Sequence, residues 1–372
     1  MTDFLRRSPP LAYGVTLAAA LLAALGFMWL HIPLPWLTGP LLCIGILSVL
    51  NMPVTSVQMV RNLAQWAMGS ALGLYFTPQI LGVISQLWWC VLLAVFFSIA
   101  LGLLGTQFLT YLNRSNTGFR NLQQLQATAY FASAIGAASE MTLLSEREKA
   151  RTDLVAASHS LRLMIVTLCV PLAVSLIDLP APGTASSLTV LPQQPFQPLG
   201  FMLFAALTAA GVGVLHALKM PNPWFLGPFF ASVIVAVLEF NLSAMPPGSS
   251  NAAQLIIGVS LGVRFNREFL RNAPFWAFSV ALLSLCLIAL SAAFGWLMSQ
   301  LVHVDFASLL LATAPGGIVE MSITAKIFAL SVPVVTAFQI TRLIAVLMLS
   351  RWVYRRVYQR TPEDRTGPLR NQ

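Results

Sequence analysis

Two glutamates and two arginines recur in this chain at one spacing: Glu140 with Arg162 and Glu320 with Arg342, 22 residues apart in both cases. All four stand inside apolar stretches, where an ionisable side chain is costly to bury and points to function by default. The equal spacing predicts two symmetric ion pairs, Glu140–Arg162 and Glu320–Arg342. Such a pair can be structural, a buried lock between two helices. It can also be functional: the carboxylate takes a proton, or the arginine holds an anionic substrate through its planar fork. Both chemistries stay open at this point. His159 and Gln339 precede the arginines by three residues, so each shares a helix face with its arginine. His159 could relay protons near neutral pH or be a hydrogen-bonded core residue.

Each glutamate follows a stretch that strains a helix. Ala312-Thr313-Ala314-Pro315-Gly316-Gly317 lacks a backbone donor at Pro315 and relaxes the dihedral limits at Gly316 and Gly317. The first half has Ala132-Ser133-Ala134-Ile135-Gly136-Ala137, a milder break. Freed backbone groups and a half-helix N-terminus can hold an anion or a carboxylate; small residues also let membrane helices pack closely. The substrate- or ion-binding candidates are therefore Glu140, Arg162, His159, Glu320, Arg342, Gln339, Pro315, Gly316, Gly317 and Gly136, with the second break expected to be the better binding element. Enzyme chemistry has little support. His31, His159, His216 and His303 are scattered, and Cys43, Cys90, Cys169 and Cys286 are isolated, read as buried thiols in packed helices. No Walker-type loop occurs. The expectation is no enzyme, no catalytic residue, no cofactor and no metal.

The elements carrying these residues come in two copies. Pro35-Trp36-Leu37-Thr38-Gly39-Pro40 returns as Pro223-Trp224-Phe225-Leu226-Gly227-Pro228. Gln65, Gly69, Leu72, Gly73 and Phe76 return as Gln254, Gly258, Leu261, Gly262 and Phe265, and Arg162-Leu163 as Arg342-Leu343. An ordered set of matches points to internal duplication. The expected units are a first membrane repeat over 1–177, a linker over 178–198, a second repeat over 199–356 and a basic tail over 357–372. The Pro-Trp-x-x-Gly-Pro motifs are expected to start short helices, and the Gly-x-x-x-Gly pairs to mediate helix packing rather than binding.

Each copy holds six apolar segments, near 11–30, 36–50, 58–76, 87–111, 125–143 and 154–176, then 200–216, 224–240, 252–265, 274–300, 307–328 and 332–354. If all six crossed, Arg147, Lys149, Arg151, Arg264, Arg267 and Arg271 would face outside, against the positive-inside rule. If segment five is broken or re-entrant, each copy crosses five times and the second is inverted. The loop cations, Arg61 and Arg264 among them, both termini and the tail then lie in the cytoplasm, and the cation-free linker outside. Inverted repeats with interrupted helices are the plan of many secondary transporters.

Composition agrees with a membrane protein. Of 372 residues, 57% are hydrophobic and only 9% charged, where a soluble domain carries about 25% charged residues. The net charge of +9, from 21 basic and 12 acidic residues, fits cytoplasmic loops better than a nucleic-acid surface, since no basic soluble domain is present. The expected class is all-α and polytopic: two inverted repeats of five transmembrane helices, each with a broken or re-entrant helix, about 10 spans plus 2. Partners would be the lipid bilayer and a small solute or ion, with no nucleic acid; a homo-oligomer is left open.

The Ala-Thr-Ala-Pro-Gly-Gly stretch at 312–317, Gln339-x-x-Arg342 and the duplicated Pro-Trp-x-x-Gly-Pro elements resemble the bacterial membrane AbrB family, over residues 12–355. This is distinct from the small soluble DNA-binding AbrB, whose fold cannot carry this composition. The resemblance implies a multi-pass protein of the bacterial inner membrane with a role in regulating gene expression; family members are also labelled ammonia monooxygenases, which would need a metal centre that these residues do not offer. The expected activity is transporter-like, translocating or sensing a small solute or ion. The alternative is a membrane-bound regulator or receptor without transport.

Overall fold

The structure, a computed structural model, describes residues 9–115, 118–177, 196–240, 242–265, 267–302 and 304–358. Arg6, Arg7, nearly all of the expected linker and most of the basic tail lie outside the described residues. All regular elements among the described residues are helices. The first eight are α1 (Pro9–Trp29), α2 (Pro35–Val49), α3 (Gln58–Gly73), α4 (Pro78–Gln86), α5 (Trp88–Leu112), α6 (Leu122–Ser133), α7 (Ala138–Arg147) and α8 (Thr152–Ser175). The same succession of lengths follows in α9 (Pro198–Ala217), α10 (Pro223–Val237), α11 (Ser249–Gly262), α12 (Arg267–Asn272), α13 (Pro274–Ser299), α14 (Phe306–Thr313), α15 (Ile318–Ile327) and α16 (Val332–Tyr358).

Six of these helices, α1, α5, α8, α9, α13 and α16, are long and apolar enough to cross a membrane; a seventh span results if α3 and α4, bent by 86°, count as one. Length explains the difference from ten. α2, α3, α10 and α11 have 15, 16, 15 and 14 residues, about 21–24 Å of helix against a hydrocarbon core of about 30 Å. The short helices α4 and α12, which follow the third segment of each half, were not foreseen from hydropathy.

Local chemistry explains the helix starts. Pro35 and Pro223 open α2 and α10, where a missing N–H costs nothing. The preceding Leu34 and Asn222 are both left-handed, with φ of 53° and 48°, so the chain turns sharply into each short helix. Close packing then follows the glycines. A Cβ on Gly69 or Gly73 of α3 would strike the carbonyls of Phe225 and Phe229 on α10. A Cβ on Gly258 or Gly262 of α11 would strike the carbonyls of Leu37 and Leu41 on α2. Each half's Gly-x-x-x-Gly helix therefore packs on the other half's Pro-Trp helix, and one apolar core holds Leu37, Met68, Val166, Phe225, Ile257 and Val335 together.

Burial grades inward. Leu22, Trp29, Leu199 and Met202 stand exposed on α1 and α9, as a lipid-facing surface requires. The arginine-bearing helices α8 and α16 are the most buried of the six candidate spans. Cys90 is buried as expected, but Cys43 and Cys169 are half-buried and Cys286 is exposed, so the thiols do not share one environment.

Candidate functional site

The fifth segment of each half is broken over four residues: 134–137 between α6 and α7, and 314–317 between α14 and α15. A half-helix that stops inside the protein leaves the carbonyls of its last turn without partners. The two arginines supply them. Arg162 donates from Nη1 to the carbonyls of Ala132 and Ser133, both at 3.1 Å, and from Nη2 to that of Ala134 at 3.0 Å. Arg342 donates from Nη1 to Thr313 at 3.3 Å and Ala314 at 2.7 Å, and from Nη2 to Gly316 at 3.2 Å. A planar cation at the negative end of a half-helix is favourable both as a hydrogen-bond donor and against the helix dipole.

The residues three positions earlier complete each clamp. His159 Nδ1 lies 2.8 Å from Arg162 Nη2, and its Nε2 lies 2.9 Å from the carbonyl of Phe131. A guanidinium can only donate and a carbonyl can only accept, so His159 is the neutral imidazole with its proton on Nε2. Gln339 does the same work. Its Oε1 accepts from Arg342 at 2.5 Å, and its Nε2 donates to Leu311 at 2.7 Å and Ala314 at 3.2 Å. Both ring nitrogens of His159 are thus committed to holding the arginine and the break, which favours the core-residue alternative over the relay.

The expected Glu140–Arg162 and Glu320–Arg342 ion pairs do not form: among the described residues, no carboxylate lies within 4.0 Å of either arginine. The reason is competition. Four terminal N–H groups of each guanidinium are taken by the break's own carbonyls and by His159 or Gln339, leaving only Nε unpaired. Glu140 is half-buried in the first turn of α7. Glu320 is buried, 7% exposed, and its carboxylate folds back over Gly317, where a side chain would collide with it. The charges acting on Glu320 are Arg61 and Arg264. The glycines also serve differently from expectation. Gly136, Gly316 and Gly317 all lack positive φ, and what they supply is room: a Cβ on Gly136 or Gly316 would meet Met141 or Met321 at 2.8 and 2.9 Å.

A cavity of about 420 Å³ lies where the two breaks meet. Its wall includes Gly136, His159, Arg162, Pro315, Gly316, Gly317, Glu320, Gln339 and Arg342; Glu140 is not part of it. The wall also carries Gln58, Asn62, Ser139 and Asn222, and three more of its polar residues bear on the chemistry without having been recognised as site residues. Arg61 and Arg264 read as loop cations in the sequence, and Gln65 as a packing residue, yet all three face the same space. The spacing of Arg61, Gln65 and Gly69 at helical intervals along α3 was the available signal. A wider depression of about 630 Å³ shares Ala138, Ser139 and Arg264 with the cavity and continues past Arg151, Asp153 and Asn272.

The sequence profile of a family described as "Transition state regulatory protein AbrB" matches residues 36–358. The chain is similar to the "Putative regulator AbrB" of Escherichia coli strain K12, with 24% identity over 343 residues, 91% of this chain and 94% of that protein. It is also similar to YhjN of Bacillus subtilis strain 168, with 26% identity over 306 residues, 79% of this chain and 77% of that protein. No solved structure matches.

Proposed function

The chain belongs to the AbrB family, and from that premise we propose that it is a transporter-like protein of the bacterial inner membrane, which moves a small solute or ion through the cavity between its two broken helices. One observation carries this reading: both breaks, contributed by opposite halves, open on a single polar cavity. Irregular backbone at membrane depth is tolerated where it lines a cavity or is buried in protein, and secondary transporters place substrate at such helix breaks between repeats. On this reading the halves are inverted repeats of five crossings and one broken helix. The shorter helices α2, α3, α10 and α11 complete spans at the centre, where neighbouring protein takes the place of lipid. Both termini and the side of Arg61 and Arg264 are cytoplasmic, and the 178–198 linker is outside. An influence on gene expression would then be indirect, through the solute level or a cytoplasmic partner.

Reconstitution in liposomes tests the activity. Purified protein should carry at least one solute from a labelled panel of acetate, succinate, phosphate, amino acids and ammonium, and Gly317→Leu, which drives a side chain into the Glu320 carboxylate, should abolish that flux. Binding without flux across the whole panel would favour the receptor reading. The topology is tested separately by single cysteines in the linker, introduced after the four native ones are replaced. An impermeant thiol reagent should label them from outside, and labelling only after lysis would overturn the inverted-repeat arrangement.

A further inference from the structure

We propose that the cavity takes a small oxyanion, which competes with the Glu320 carboxylate for Arg61 and Arg264. This rests on the reading of the cavity as the substrate site and adds the substrate class and its coupling.

Among the described residues the wall carries four arginines, Arg61, Arg162, Arg264 and Arg342, against the single carboxylate of Glu320. Arg162 and Arg342 are 4% exposed and hold their half-helices, so they fix positive charge at the breaks rather than reaching out. They line the same cavity, and each retains one unpaired donor at Nε. Arg61 and Arg264 differ in being uncommitted. Among the described residues neither has a carboxylate within 4.0 Å, and Arg61 has only a long 3.5 Å contact to Gln58. They arrive from opposite halves, Arg61 on α3 and Arg264 just after α11. The starts of α7 and α15 add unpaired backbone N–H groups at Ala138, Ser139, Ile318 and Val319, with no side-chain cap on either helix. A cation in this space meets four like charges and one carboxylate. An oxyanion finds donors and positive charge, and Arg264 also lines the wider depression, where Arg151 stands with Asp153.

Glu320 sets the coupling. The elements around it present Arg61 from α3, Arg162 and neutral His159 from α8, Arg342 from α16 and Arg264 from the turn after α11; α14 presents no titratable group, and Lys326 sits at the far end of α15, 3.3 Å from Ser250. Of these, Arg61 and Arg264 are the charges acting on Glu320. When Glu320 is ionised it holds their field; when it is protonated both arginines are free for the ligand. Anion binding is therefore strongest with Glu320 neutral, and each anion taken up carries a proton onto the protein.

Calorimetric titration of the full-length protein in detergent tests this, with sulfate and succinate as anions and tetramethylammonium as a cation of similar size. Sulfate keeps its charge over the range used. It should bind, tetramethylammonium should not, and sulfate affinity should fall about tenfold or more from about pH 4, below the ordinary glutamate range, to about pH 9 as the carboxylate ionises. Glu320→Gln should hold the acid-side affinity at both pH values. Arg61→Gln and Arg264→Gln should each weaken sulfate about tenfold, with partial recovery in Arg264→Lys. Binding of the cation instead of the anions, undiminished sulfate affinity in both glutamine variants, or an unchanged pH dependence in Glu320→Gln would each overturn the proposal. If a variant fails to elute as a single species, the wild-type comparison of anion with cation still decides the ligand class. Sulfate that binds while neither it nor any solute of the liposome panel crosses would sink the transport reading and leave this one standing; flux of a neutral or cationic solute alone would do the reverse.

Discussion

The two broken helices share a scaffold and differ in chemistry. In each, an arginine 22 residues beyond the glutamate binds three carbonyls of the broken segment, and a polar residue three positions before it accepts from the guanidinium and donates to another carbonyl. The difference lies in the glutamates. Glu140 sits half-buried away from the cavity, whereas Glu320 is buried on its wall beside Arg61 and Arg264. The lesson is that the duplicated arginines build the breaks, and that only the second break brings an acidic group into the shared space. Symmetry here belongs to the architecture, and asymmetry to the candidate chemistry.

Removing the clamps should give the largest effect and should hit both halves alike. Arg162→Ala or Arg342→Ala leaves a set of buried carbonyls without donors, and either should lower stability by roughly 3–5 kcal/mol, the scale of stripping one side from a buried charged arrangement. Denaturant unfolding in detergent measures it. A large loss at one arginine and none at the other would break the claim of a common scaffold.

The glycines sharpen the comparison at a smaller scale. Gly316→Ala puts a methyl against both Met321 and the Val166 methyl at 3.0 Å, while for Gly136→Ala the three nearest atoms all belong to Met141. A methionine tip swings aside, and a β-branched valine does not. Gly316→Ala should therefore cost about 1–3 kcal/mol in overpacking, and Gly136→Ala clearly less, in the same unfolding assay. Equal costs would mean the second break is no more tightly enclosed than the first.

Substituting the glutamates separates architecture from chemistry. Glu320→Gln should change solute binding about tenfold or more and remove its dependence on pH, whereas Glu140→Gln should leave both within about twofold, since Glu140 is not on the cavity wall. Parallel effects at the two positions would return the glutamates to a symmetric role.

Much of this was legible in the residues, and the failures have physical causes. The edges of the long segments lie close to the helices, for example 154–176 against Thr152–Ser175, because apolar length is a strong one-dimensional signal. The helix breaks at Gly136 and Pro315 were readable from small residues and proline. The Glu–Arg pairing was wrong because spacing says that two side chains recur together, not which acceptor is nearest; backbone carbonyls, present at every residue, carry no sequence signature. Arg61 and Arg264 escaped for a related reason. They lie near the ends of apolar segments, where an arginine reads as a loop cation, and only the packing of α3 and α11 against the opposite half turns them toward the cavity.

The smallest effect is expected from exchanging the two clamp partners. His159 and Gln339 occupy equivalent places and do equivalent work, each accepting from its arginine and donating to a carbonyl of the broken segment. A glutamine at 159 can offer Oε1 to Arg162 and Nε2 to Phe131, as Gln339 does for Arg342 and Leu311, so both hydrogen bonds survive and no titratable group is needed. His159→Gln should then cost less than about 1 kcal/mol and leave any solute flux and its pH profile unchanged. His159→Leu keeps the bulk but loses both bonds, and it should cost about 1–3 kcal/mol more because the buried Arg162 and Phe131 each lose a partner. The pair of variants discriminates cleanly. If His159→Gln folds as stably as the parent but loses pH-dependent flux, the imidazole moves protons after all, and the two halves differ at their clamps as well as at their glutamates.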